Sequence, residues 1–132
     1  NISEFWKRYH MSLGAWCRRN VYFPVLMNTR NPHLAIFFAF LTMGLWHHLT
    51  VNWSMWALHH SLGVMLIIFL ANSNYFTARF LLSKRLQALW RPIAVLITVF
   101  FVTGGTSMVH FEEIETSFSL YARFFTFDLI NI

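Results

Sequence analysis

The chain is 132 residues long, 57% hydrophobic, 19% aromatic and only 11% charged, with a net charge of +5. A soluble domain of this size has too little interior to hide that much apolar surface, so the composition points to an integral membrane protein. The single cysteine, Cys17, excludes an internal disulfide and fits no metal-site spacing.

The chain opens on Asn1, without an initiator Met and without a signal-peptide pattern, and reads as a piece of a larger membrane protein. Residues 3–31 mix Phe5, Trp6, Lys7, Arg8, Tyr9, Trp16, Arg18, Arg19 and Tyr22. That blend suits the headgroup layer, where aromatic bodies are buried and cationic tips reach water. Ser3 followed by Glu4 predicts a helix start, Pro24 is expected to close or kink whatever precedes it, and "NTRNP" at 28–32 reads as a turn.

From Leu34 to Ala71 there is no charged residue. One straight helix over that stretch would run roughly 57 Å, against a hydrocarbon core of about 30 Å, so it must be broken. The polar cluster Thr50, Asn52, Ser54 marks the break and predicts spans near 34–50 and 53–71. Residues 72–91 turn polar and basic, and a third span, 92–110, is expected to start at Pro92. Gly104 and Gly105 weaken its far end or admit another helix closely. Glu112, Glu113 and Glu115 follow, then an aromatic segment, "FSLYARFFTFDLINI", that lies along the interface or dips into the bilayer.

The expected fold is thus an all-α polytopic membrane bundle forming one partial domain over 1–132. It divides into an interfacial aromatic-basic segment (1–32), a histidine-rich helical hairpin (33–71), and a basic loop, third span and C-terminal segment (72–132). Lys7, Arg8, Arg18, Arg19 and Arg30 precede the first span, whereas Arg79, Lys84, Arg85 and Arg91 separate the second from the third. Both basic loops fall on one side, which the positive-inside rule makes cytoplasmic. The charge is then accounted for by topology, and no basic stripe remains for nucleic acid.

Within the uncharged stretch, "GLWHHLTVNWSMWALHHS" places His47, His48, His59 and His60 at or near membrane depth. A neutral imidazole can be satisfied by a neighbouring helix, but four beside Trp46, Asn52 and Trp53 predict a polar cavity lined by the hairpin. Trp46, Asn52 and His60 are the expected substrate-binding residues, and no metal is expected. Bare HH pairs point about 100° apart on a helix and lack the spacing that gathers imidazoles round a di-iron centre. Haem ligation between two spans stays open as an alternative, as does a non-catalytic scaffold or transport subunit.

Two blocks, "SEFWKRYHMSLGAWCRRNVYFPV" and "GLWHHLTVNWSMWALHHSLG", resemble the membrane-bound O-acyltransferase family over residues 3–66. The likeness is to its bacterial branch of alginate O-acetylation and teichoic-acid D-alanylation membrane proteins. The resemblance implies the C-terminal part of a larger helical bundle with a tunnel through it. It implies catalytic roles for His47, in the G-x-W-H block, and His10, in the HMSL block; His60 aligns with a further common His. It also implies no tightly bound cofactor and a thioester co-substrate, acyl-CoA or acyl-carrier protein, arriving from the cytoplasm. The acceptor would be a hydroxyl of a cell-envelope polysaccharide or related molecule, with the bilayer, a carrier protein or a periplasmic protein as further partners, in a bacterial inner membrane.

Three positions depart from the family pattern. His48 stands where Gly often follows the catalytic His, Arg18-Arg19-Asn20 replaces Arg-Asp-Tyr, and "VHFEEIE" replaces an aromatic-Arg ending. Acyl transfer needs a base near working pH, which suits histidine, and Cys17 lies far along the chain from His47, favouring direct transfer over an acyl-enzyme. His48 and His59 are expected to tolerate substitution.

Overall fold

The computed structural model describes residues 1–72 and 84–126, and among these every regular element is helical. Helix α1 (Ile2–Arg8) is capped by Asn1, whose side chain accepts from the Glu4 N–H at 3.0 Å. The cap is therefore Asn1 and not Ser3, which already lies in the first turn. Lys7 pairs with Glu4 at 2.6 Å one turn away. The chain then turns through an extended Tyr9 and a left-handed His10 (φ 47°) into α2, Met11–Cys17.

Pro24 does not close the next stretch. A π-helical turn, Arg18–Tyr22, leads straight into α3 (Phe23–Thr29), with the Phe23 N–H bonded back to the Arg18 carbonyl. A proline ring strikes the carbonyl four residues earlier, here Asn20, and a widened turn relieves that crowding. The expected turn forms at Arg30 and Asn31. Arg30 is left-handed (φ 54°) and bonds the Leu26 carbonyl, while the Asn31 side chain accepts from the N–H groups of His33 and Leu34. Pro32 then occupies the first position of α4, where no N–H is missed.

Helix α4 (Pro32–His47) and helix α5 (Val51–Asn72) form the hairpin, with the break at 48–50. Helix α4 ends three residues before the expected boundary. It therefore spans about 24 Å, short of a full hydrocarbon core. Helix α5, with 22 residues, is long and apolar enough to cross a membrane. Gly44 lets the pair close up: a Cβ there would stand 2.6 Å from the Trp53 carbonyl oxygen.

Helix α6 (Lys84–Ser107) begins eight residues ahead of Pro92, so the expected start at that proline is corrected. Loss of one backbone bond at Pro92 is tolerated because the preceding Lys-Arg-Leu-Gln-Ala-Leu run consists of strong helix formers. Lys84, Arg85 and Arg91 accordingly lie on a helix, whereas the rest of the expected basic loop, with Arg79, lies outside the described residues. The stretch Ala88–Ser107 passes the same length and hydropathy test as α5. Helix α7 (Ile114–Thr126) is strongly amphipathic and packs on α5 and α6; residues 127–132 are outside the described set.

The core lies where α1 and α2 meet the hairpin, around Ile2, Cys17, Ile36, Phe40, Met43 and Trp56. On the outer face of α5, Leu58, Leu62 and Leu66 are exposed at four-residue spacing. That stripe belongs against hydrocarbon or other protein and not against water.

Candidate functional site

The short hairpin turn decides the surroundings of the histidine pair. His47 is the last helical residue of α4, and His48 is already extended (φ −155°, ψ 141°) and exposed. The two side chains are separated by this break, and not by the 100° step of a continuing helix. His47 stacks on Trp53, from the first turn of α5, with ring centroids 4.5 Å apart and planes 19° apart.

Trp53, Trp56 and His60 follow one another at steps of three and four, so α5 turns all three to one face. Helix α1 lies across this face. It brings Trp6 to ring-centroid distances of 5.6 Å from Trp56 and 5.0 Å from His60. At its end His10 stands 5.8 Å from His47. A cavity of about 200 Å³ results, lined by Phe5, Trp6, Tyr9, His10, His47, Trp53, Trp56 and His60, by Val102 and Thr106 from α6, and by Val109 just beyond its end. Three histidines singled out in the sequence therefore meet around one space.

Two features mark this space chemically. His10 is one of only two non-glycine residues with positive φ among the described residues. The left-handed region costs a side chain roughly 1–2 kcal/mol, and such strain is concentrated where a side chain must be aimed. His60 is 1% exposed, yet neither ring nitrogen has a hydrogen-bond partner, and the Trp6 indole nitrogen is likewise buried and unpartnered. Buried polar atoms left unpaired cost about 1–3 kcal/mol each, so their concentration around one cavity suits a polar occupant. Gly105 makes room for His60: a Cβ there would lie 2.6 Å from its Nε2.

The other candidates lie elsewhere. Trp46 is 65% exposed and touches His47 from outside the cavity. Asn52 is buried away from it, donating to the carbonyls of Phe111 (2.8 Å) and Glu112 (3.2 Å), with Ser117 Oγ at 3.3 Å. It ties the start of α5 to the entry of α7. His59 is also a brace. A carbonyl only accepts, so its Nε2–H donates to Phe101 O at 3.0 Å, and Nδ1 is left to accept from the Tyr121 hydroxyl at 3.1 Å. Its ring stacks on Phe101 at 3.9 Å, which joins α5, α6 and α7 and gives His59 a structural role outside the cavity. Among the described residues no three His, Cys, Asp or Glu side chains are grouped to hold a metal ion.

Trp6, Tyr9 and Trp56 were not among the candidates read from sequence, whereas Trp53 was read beside the histidines. The i, i+3, i+7 spacing of Trp53, Trp56 and His60 was a usable signal. Trp6 and Tyr9 share the motif block of His10, but their aromatic-basic setting reads equally as an interfacial belt.

Known proteins align with most of the chain. It is 28% identical over 130 residues, 96% of its length, to a probable alginate O-acetylase of Pseudomonas aeruginosa, covering 23% of that protein. It is 31% identical over 118 residues, 80% of its length, to a teichoic acid D-alanyltransferase of Bacillus subtilis, covering 28% of that protein. It is 30% identical over 88 residues, 61% of its length, to diacylglycerol O-acyltransferase 1 of Arabidopsis thaliana, covering 16% of that protein. The chain thus spans about a quarter of the length of the first bacterial relatives. No protein-family model and no solved structure matches it.

Proposed function

We propose, from the premise that this membrane chain is a relative of the membrane-bound O-acyltransferases, that the His10–His47 cavity carries an acyl transfer from a thioester to a hydroxyl. The observation that supports it most is the meeting of the two motif histidines, 5.8 Å apart, across one cavity built from α1, α4, α5 and α6.

In this reading His47 is the general base. Its free ring nitrogen takes the acceptor's hydroxyl proton as the oxygen attacks the thioester carbonyl carbon. The tetrahedral intermediate then collapses, the carbon–sulfur bond breaks, and the imidazolium returns the proton to the departing thiolate. Trp53 assists by stacking: an aromatic face favours the cation that His47 becomes during attack, by about 0.5–2 kcal/mol. His10, held on the opposite side, is placed to donate to the developing oxyanion. His60 offers further polar atoms to the bound groups.

The acyl group is short. A cavity of about 200 Å³ is smaller than typical drug-sized pockets and suits an acetyl or similar group. The acceptor is a cell-envelope polysaccharide or related hydroxyl on the outer side of a bacterial inner membrane, and the donor, acyl-CoA or acyl-carrier protein, arrives from the cytoplasm. A carrier protein or a periplasmic partner completes the route.

The test is transfer of labelled acetyl from a thioester to envelope polymer in membranes holding the intact protein. His47→Ala is expected to lower transfer by on the order of 10²–10⁴-fold at unchanged abundance, whereas His48→Gly keeps most of it. An indispensable His48 beside a replaceable His47 would overturn the assignment.

A further inference from the structure

A second cavity, of about 370 Å³, lies on the other side of α1. Its walls are mostly apolar, with Cys17, Ile36, Ala39, Phe40, Met43 and Val64, and Lys7 and Arg18 stand among its polar lining. The linings of this cavity and of the histidine cavity share one residue, Trp6. The indole packs edge-on against Phe40, at 5.1 Å, on the apolar side and against His60, at 5.0 Å, on the histidine side. Its N–H is buried without a partner, so ring packing alone holds the wall in place.

We infer that Trp6 sets the length of the acyl group, because it closes the histidine cavity against an apolar cavity that would otherwise receive a longer chain. This rests on the acyl-transfer reading and adds a specificity-determining residue to it. With the thioester carbonyl beside His47, an acetyl group fits on the histidine side of the indole. A chain several methylenes longer must run into the ring. Behind the ring lies space of the right chemistry, since Ile36, Phe40, Met43 and Val64 would take an alkyl tail out of water. Trp6 makes no catalytic contact in this scheme. Its replacement should change which donor is used before it changes how fast the bond is made.

The experiment compares acetyl-, butyryl- and hexanoyl-CoA as donors in membranes holding the intact wild-type protein, Trp6→Ala and Trp6→Leu. A pocket discriminates by roughly 10-fold or more for each methylene it excludes. The wild type should therefore favour acetyl over hexanoyl by at least about 10-fold, and both variants should lose most of that preference. Adding Ala39→Phe to Trp6→Leu refills the apolar cavity and should restore it. A wild type that uses hexanoyl as readily as acetyl overturns the inference whether or not the variants fold. So do variants that transfer acetyl with an unchanged donor profile. A wild type that transfers no acyl group from any thioester, with carrier-bound acyl groups included, instead overturns the function proposed above.

Discussion

Replacing Gly44 by alanine tests whether the hairpin's close approach aims the proposed base. The new Cβ would lie 2.6 Å from the Trp53 carbonyl oxygen, 3.3 Å from its carbonyl carbon and 3.4 Å from the Ala57 Cβ. Ordinary contact needs about 3.5 Å, so α4 and α5 must part locally by close to 1 Å. The obstacle is backbone, which cannot swing aside as a side chain does. Overpacking of this kind costs about 1–3 kcal/mol, and Gly→Ala in a helix returns about 1 kcal/mol, leaving a net loss of about 0–2 kcal/mol. The effect on chemistry should be larger. Trp53 is the residue on which His47 stacks, and a displacement of 1 Å at a reacting group can cost about 100-fold. Thermal unfolding in detergent should therefore change modestly while acetyl transfer falls by at least about 10-fold. Gly14→Ala is the control, since a Cβ there meets nothing within 4 Å. Full activity in Gly44→Ala would refute the claim that this contact positions His47.

Three further outcomes follow from the same geometry. His10→Gly removes the left-handed strain and should raise thermal stability by about 1 kcal/mol while abolishing most transfer; His10→Ala should lose transfer without that gain, and equal unfolding temperatures for the two would contradict the strain argument. His59→Ala breaks two hydrogen bonds and a stacked ring pair, and is expected to destabilise the protein by about 2–4 kcal/mol, seen as lower abundance and earlier unfolding. Burial pushes the Cys17 thiol up from its ordinary value, so maleimide should label it slowly until the protein is unfolded, and Cys17→Ala should retain transfer; rapid labelling or loss of transfer would revive an acyl-enzyme.

The membrane helices were legible because hydrophobic run length and its interruption are local properties. The uncharged stretch 34–71 had to break, and the cluster of Thr50, Asn52 and Ser54 marked the neighbourhood, although the break falls at 48–50 and Asn52 and Ser54 already lie in α5. The turn at Arg30–Asn31 was equally local, written in asparagine and proline chemistry. Pro92 misled because a single residue's preference competes with its neighbours: a helix-forming run carries α6 through it, whereas Pro24 distorts the turn before it into a π-turn without ending the helical run. Histidine content marked the hairpin as unusual without saying what each imidazole does. His59 and His60 are adjacent and chemically identical, yet one bridges two helices through both nitrogens and the other keeps both unpaired beside a cavity. That difference depends on which side chains of α1, α6 and α7 arrive next to them, across separations of more than 40 residues. The sequence by itself determined the helices, their breaks and the residue types available for chemistry. Only tertiary packing decided that Trp6 from the first helix should stand between two cavities, because that position exists only once α1 is laid across the hairpin.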